Sequence, residues 1–114
     1  MADPRIRQIK IKTGVVKRLA KEKTVYEKEA EQQKNRIEKL KDEGQDEHIV
    51  RKQEEVLQES LMMVPDCQRR LVKAYMDLQS TLESEKELNE HEDYIAAQQV
   101  LKDAESQLPD SAAS

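Results

Sequence analysis

Aromatic and backbone-breaking residues are both scarce in this chain of 114 residues. It has no Trp, no Phe and only three Tyr, so few rings are available to fill a compact core. It also has only two Gly and three Pro, whereas disordered chains are usually rich in such residues. Charged residues make up 39% of the chain, and strong helix formers such as Ala, Leu, Glu, Lys and Gln are common. The composition indicates an elongated all-α protein that buries only narrow apolar seams.

Membrane segments and disulfides are also missing from the sequence. No apolar run approaches the roughly 20 residues that a helix needs to cross a bilayer, and no signal-peptide core follows Met1. Cys67 is the only cysteine, so no intramolecular disulfide can form, which fits a reducing compartment. We therefore expect a cytoplasmic protein with no membrane partner.

The residue types that carry catalysis are thinly spread. His48 and His91 fall on different predicted helices, away from any cluster with metal-ligand spacing, and are expected on the solvated surface. Cys67 falls on an apolar seam, where a small apolar filler is expected rather than a reactive thiol. No glycine-rich phosphate loop is present. The sequence thus predicts no enzyme activity, no cofactor and no metal.

Three helices are predicted from capping residues and apolar spacing. Asp3 suits an N-cap, Pro4 the first helical position and Gly44 the left-handed end of a helix, which places the first helix at 4–43. Asp46 suits the next cap and gives a second helix at 46–82. Ser84 and Asn89 compete to cap a third helix at 85–108. Residues 1–108 are predicted to form an antiparallel three-helix coiled coil, and 109–114 a flexible tail.

Apolar residues follow heptad-like spacing in each predicted helix. The seam of the first helix is Ile9, Lys12, Val16, Leu19, Lys23, Tyr26, Ala30, Gln33, Ile37 and Leu40. The seam of the second helix is Ile49, Gln53, Val56, Ser60, Met63, Cys67, Leu71, Ala74 and Leu78. The seam of the third helix is Tyr94, Ala97, Leu101, Ala104 and Leu108.

Pro65 lies in the middle of the second predicted helix, in the stretch ESLMMVPDCQRRL. If Pro65 began a new helix, Val64 would be its N-cap, and valine does not cap. The predicted seam continues across Pro65 with two consecutive steps of four, a stutter that would locally unwind a supercoil. We therefore predict one continuous helix with a kink at Pro65.

Charge is unevenly distributed along the chain. Residues 1–41 contain 13 Lys/Arg and 6 Asp/Glu, a net charge of +7, whereas residues 42–114 contain 7 and 18, a net charge of −11. One interpretation is that a basic helix packs against acidic ones; the other is that the basic face binds an acidic partner. Nucleic acid is not favoured as that partner, because the chain is acidic overall and lacks interleaved stacking aromatics.

Residues off the predicted seams are the candidates for contact with a partner protein. Leu61, Pro65, Val72 and Met76 have separations of 4, 7 and 4, which predicts one outward stripe, with Met62 beside it. Isolated apolar residues are also normal on protein surfaces. The candidate cations on the first helix are Lys10, Lys17, Arg18 and Lys21.

Two long strings identify a family resemblance. The N-terminal MADPRIRQIKIKTGVVKRLAKEK and the central QESLMMVPDCQRRL closely resemble the tubulin-binding cofactor A family, and the similarity extends to about Leu101. The resemblance implies a three-helix coiled coil with a bend at Val64-Pro65-Asp66. It also implies a chaperone that captures β-tubulin on the route to the α/β heterodimer, together with other tubulin-folding cofactors and without nucleotide or metal.

Two functional hypotheses follow. The first is a β-tubulin chaperone that acts as a monomer through the surface of its helices. The alternative is a structural or adaptor coiled coil that associates with itself. Sedimentation equilibrium separates them, since a scaffold of the second kind forms a stable dimer or higher oligomer.

Overall fold

The structure is a computed structural model that describes residues 3–109. Three α-helices follow one another, α1 at Pro4–Asp42, α2 at Glu47–Ser84 and α3 at Glu92–Ala104. Short 3-10 turns precede and follow α3, at Lys86–Leu88 and Glu105–Gln107. No strand occurs within residues 3–109. The predicted all-α, three-helix fold is confirmed, whereas most of the predicted tail, residues 110–114, lies outside the described residues.

The first helix begins as its sequence predicts. The carboxylate Oδ1 of Asp3 accepts a hydrogen bond of 2.8 Å from the backbone N–H of Arg5. The carbonyl of Asp3 accepts the next one, 3.1 Å from the backbone N–H of Arg7. The side chain of Asp3 therefore satisfies the N–H of Arg5, which has no partner within the helix, and its carbonyl accepts the first bond of the helix.

The turn between α1 and α2 depends on Gly44. Its φ of 70° is in the left-handed region, which glycine adopts without steric cost. The backbone N–H of Gly44 donates to the carbonyl of Lys41, and that of Gln45 donates to the carbonyl of Leu40, both at 3.1 Å. This is a Schellman motif. Asp46 then caps α2 as predicted, with its Oδ1 2.8 Å from the backbone N–H of His48.

The second helix is continuous through Pro65. It extends from Glu47 to Ser84 with the proline inside it, so the prediction of one uninterrupted helix is confirmed. Proline has no N–H, and the carbonyl of Leu61, four residues earlier, therefore lacks its usual helical donor. The kink itself stays a prediction.

The third α-helix begins later than the predicted residue 85. Neither Ser84 nor Asn89 is its N-cap: Ser84 is the last residue of α2, and Asn89 follows the 3-10 turn. His91 is the cap instead, with its Nδ1 accepting a hydrogen bond of 3.1 Å from the backbone N–H of Asp93. The prediction was wrong because it considered only the commonest capping residues, and an imidazole nitrogen accepts the same bond.

The described residues separate into two compact units. Unit 1 contains residues 3–21 and 68–109, and unit 2 contains residues 22–67. In unit 1, Arg5 contacts Glu87 and Lys12 contacts Asp77, so α1 and the end of α2 are antiparallel, as predicted. One apolar cluster forms the core of unit 1; it consists of Ile6, Ile9, Val16, Leu19, Leu71, Leu78, Leu82, Tyr94, Ala97, Leu101, Ala104 and Leu108.

Unit 2 has a smaller and more polar interior. Its buried residues are Lys23, Ala30, Gln33, Ile37, Val50 and Cys67. Nε2 of Gln33 donates to both the carbonyl oxygen and the side-chain Oε1 of Gln53, at 2.9 and 2.7 Å. Nζ of Lys23 lies 3.0 Å from Oε1 of Glu27, one turn along α1. The polar residues on the seam thus have partners, as buried polar groups require.

The predicted seams of α1 and of the third helix are confirmed, because every predicted position is buried or half-buried. The predicted end of the third helix at 108 was wrong, since α3 ends at Ala104 and Leu108 follows the second 3-10 turn in an extended conformation. Cys67 is also buried as predicted. On α2 the prediction was wrong at Ile49, Val56 and Met63, which are exposed. The residues that face inward there are Val50, Leu57 and Val64, each one position later. This inward pattern keeps alternating between three and four residues past Pro65, so the predicted stutter is absent.

Candidate partner-binding surface

Exposed apolar side chains form the first candidate feature, and in unit 2 they lie near Pro65. Met62 is 66% exposed and Leu61 37% exposed, and Pro65 is exposed between two half-buried neighbours. These are three members of the predicted stripe. Leu and Met adapt their shape to a partner, which suits a contact surface.

The two remaining members of the stripe belong to unit 1 and differ in exposure to solvent. Met76 is 56% exposed and is available to a partner. Val72 is half-buried and packs against the apolar cluster of unit 1. Val72 was predicted to face outward with the rest of the stripe, and in this respect the prediction was wrong.

A second exposed apolar row was not predicted as a surface. Ile49, Val56 and Met63 are separated by seven residues each and are exposed on α2 within unit 2. Sequence reasoning placed them on the buried seam, because the neighbouring row of Val50 and Leu57 is equally apolar. Only the helix that packs against α2 decides which row is buried, and one helix's periodicity does not contain that information.

The basic start of α1 is the third feature. Residues 4–21 contain seven Lys/Arg and no Asp/Glu. Arg5 forms ion pairs with Asp3, Glu85 and Glu87. Lys12 donates to Asp77 at 3.2 Å and to the hydroxyl of Thr81 at 2.8 Å. These two cations support the interpretation that basic and acidic segments of the chain pair with each other.

Four other cations of this segment support the interpretation that a partner is acidic. Arg7, Lys10, Lys17 and Lys21 are exposed, and none forms an ion pair within residues 3–109. We call these four residues together with Gly14 the basic strip. Arg18 is exposed as well but takes part in an interaction within the chain.

The ionisable groups that depart from ordinary behaviour lie in unit 1. The hydrogen bond from the Arg5 side chain holds the pKa of Asp3 below its usual value, and Asp3 in turn raises the pKa of Arg5. Burial raises the pKa of Tyr75, and the negative charge of Glu105 adds to the increase. Each shift belongs to a cap or to packing, and together they do not form a paired acid and base.

Metal-binding clusters and membrane spans are both absent from the described part of the chain. Residues 3–109 contain no group of three or more His, Cys, Asp or Glu placed to hold a metal ion. Among these residues, none of the helices is both long enough and apolar enough to span a bilayer.

Comparison with known proteins identifies the family. Residues 4–101 match the family described as "Tubulin binding cofactor A". The human protein named "Tubulin-specific chaperone A" is 63% identical over 101 residues, which cover 89% of this chain and 94% of the human protein. "Tubulin-folding cofactor A" of Arabidopsis thaliana is 43% identical over 106 residues, covering 91% of this chain and 94% of that protein.

Two solved structures with related titles match the chain over most of its length. The structure titled "human tubulin chaperone cofactor a" superposes with a TM-score of 0.77 at 59% identity, covering 88% of this chain and 97% of that one. The Arabidopsis thaliana tubulin folding cofactor A superposes with a TM-score of 0.83 at 42% identity, covering 90% and 97%. The chain belongs to the tubulin binding cofactor A family.

Proposed function

We propose that this chain is a tubulin-specific chaperone that binds β-tubulin as a folding or assembly intermediate, before β-tubulin enters the α/β heterodimer. The observation that carries the proposal is similarity to proteins named tubulin-specific chaperone A over 89% of the chain. The matched residues 4–101 include every surface feature described above. Other tubulin-folding cofactors act beside it, in the cytoplasm and in association with the cytoskeleton.

The surface of the helices supports binding rather than catalysis. A subunit that awaits its partner exposes an interface that has to be covered reversibly, and exposed Leu and Met side chains cover it with little geometric demand. Exposed cations such as those of the basic strip set orientation and speed association with an acidic surface. Neither role needs a nucleotide, a metal or an enclosed pocket, so we propose no enzyme activity and no cofactor.

Size-exclusion chromatography of the purified chain with β-tubulin tests the proposal. We expect a complex of fixed stoichiometry that elutes before either protein alone. If the two proteins elute separately at micromolar concentration and low salt, the proposed function is wrong.

The same experiment tests the exposed apolar residues. The double variant Leu61→Asp with Met76→Asp places charges where we expect contact, and its affinity should fall about tenfold or more, as central contacts do when they are disrupted. Ile95→Asp is the matched control, because Ile95 is 53% exposed on α3. Circular dichroism should show unchanged helicity in both variants. Equal affinities for the double variant and the unmodified chain would remove these residues from the interface.

The alternative function, a self-associating scaffold, is favoured only by the second exposed row, Ile49, Val56 and Met63, whose heptad spacing resembles a coiled-coil seam. Sedimentation equilibrium separates the two functions. A monomer across the micromolar range fits the chaperone, and a stable dimer fits the scaffold.

A further inference from the structure

Gly14 is placed where neither the backbone nor the packing of this chain needs glycine. It lies inside α1, and among the described glycines only Gly44 has a positive φ. A Cβ added at Gly14 would meet no atom within 4 Å. Glycine in the interior of a helix is less favourable than alanine, because it loses more conformational freedom on folding. The fold therefore gives no reason for this residue.

Gly14 shares its exposed face with four cations, and Ile11, which is 50% exposed, lies one turn before it. Arg7, Lys10, Gly14, Lys17 and Lys21 follow one another at steps of three and four, which places them on one face of a helix. With a rise of 1.5 Å per residue, the strip is about 21 Å long. Gly14 is its midpoint, so bare backbone separates two pairs of positive side chains.

Acidic side chains of unit 1 lie near the basic strip but form no ion pair with it within residues 3–109. Asp103 lines a surface depression with Lys17 and Lys21, and another depression is lined by Arg7 and Lys10 together with Asp3, Glu92 and Asp93. Asp103 accepts a hydrogen bond of 2.8 Å from Gln99, and Asp93 lies 3.6 Å from Nδ1 of His91. None of these four carboxylates forms an ion pair with a cation of the strip in the described part of the chain.

We propose that an acidic segment of β-tubulin binds along the basic strip in an extended conformation, with its backbone against Gly14. The missing side chain lets the segment approach the helix closely, and the two cation pairs bind carboxylates on either side of that point. An extended chain rises about 3.3 Å per residue, so some six or seven residues span the strip. The inference rests on the proposed function, since it names the chemistry of the segment that this surface recognises.

Substitution of Gly14 should change the stability of the chain and its affinity for β-tubulin in opposite directions. Gly14→Ala should raise the melting temperature, because alanine is the better helix former, yet weaken the affinity for β-tubulin several-fold. Gly14→Gln should weaken it about tenfold or more, because a longer side chain fills the space that the segment needs. Both affinities are measured by fluorescence anisotropy with labelled β-tubulin. A gain in stability with unchanged affinity in both variants would overturn the inference.

Charge reversal tests the cations independently. Lys17→Glu with Lys21→Glu should weaken binding at least tenfold at low salt and reduce the dependence of affinity on salt concentration. Lys34→Glu with Lys39→Glu is the matched control, since both residues are exposed on α1 in unit 2 and the change in charge is identical. Equal losses for the two double variants would contradict a specific role for the strip.

A titration without tubulin distinguishes failure of the inference from failure of the proposed function. A decaglutamate peptide, followed by the amide chemical shifts of the full chain, should perturb residues 7–21 most strongly, and Gly14→Gln should reduce the perturbation. If this occurs but the unmodified chain does not bind β-tubulin, the basic strip is supported and the proposed function is wrong. If β-tubulin binds but the peptide perturbs no residue of the strip, or if oligothymidylate binds there more tightly than decaglutamate, the inference is wrong.

Discussion

The hydroxyl of Tyr94 joins the start of α3 to the end of α2. It donates a hydrogen bond of 2.8 Å to the carbonyl of Leu82 in the interior of unit 1. Leu82 is within the last turn of α2, where helix carbonyls lack helical donors, and its other bond is a longer one of 3.3 Å from the backbone N–H of Glu85. Tyr94 therefore both fills the core and caps a helix.

We expect Tyr94→Phe to lower the free energy of unfolding by about 1 kcal/mol, because one buried hydrogen bond is lost while the ring still packs. Thermal unfolding followed by circular dichroism measures the change. Tyr26→Phe is the control, since Tyr26 is half-buried and its hydroxyl forms no hydrogen bond within residues 3–109. Similar losses of stability in both variants would show that the hydrogen bond is not the source of the effect.

At the scale of the helices, the sequence predicted the bounds of α1, the start of α2 and the buried faces of α1 and α3. The bounds of α1 and the start of α2 depend on local chemistry, since Asp3, Gly44 and Asp46 act on backbone groups within a few residues. The start of α3 was missed because His91 caps it and no glycine or proline marks the preceding turn. The inward face of α2 was missed for a different reason: two adjacent rows are equally apolar, and tertiary packing decides between them.

The correction on α2 gives a paired prediction. Val50 is 8% exposed, whereas its neighbour Ile49 is 45% exposed. Val50→Ala should lower the free energy of unfolding by about 1–2 kcal/mol, since two buried methyl groups are lost at about 0.8 kcal/mol each. Ile49→Ala should change it by less than about 0.5 kcal/mol, as exposed substitutions usually do. Urea unfolding measures both, and the reverse order would restore the seam predicted from the sequence.

Part of the candidate surface could be predicted from the sequence and part could not. Its cations were predictable, because a helix segment with seven Lys/Arg and no Asp/Glu exposes some of them in any packing. Which cations pair within the chain was not predictable, since the ion pairs of Arg5 and Lys12 join residues far apart in sequence. The sequence alone did not identify Gly14 as a candidate contact, because only the structure shows that the space around it is empty.

At the scale of the whole molecule, the two units differ in what they bury. Unit 1 contains an apolar cluster of twelve residues, whereas the interior of unit 2 includes Lys23 and Gln33. Apolar burial is the main source of resistance to local opening, and segments with less of it open at lower free energy. We therefore expect unit 2 to open more readily than unit 1.

Native-state hydrogen exchange measures this difference directly. Amides at 30–40 and 50–60 should exchange through openings whose free energy is at least about 2 kcal/mol lower than that of openings at 9–19 and 71–82. About 2 kcal/mol is the contribution of one buried aliphatic side chain. A uniform free energy of exchange along the chain would mean that both units unfold together.

A less stable unit 2 would let its exposed apolar residues, Leu61 and Met62 among them, adjust to β-tubulin. Protection gained on binding should then be larger in unit 2 than in unit 1, apart from the basic strip.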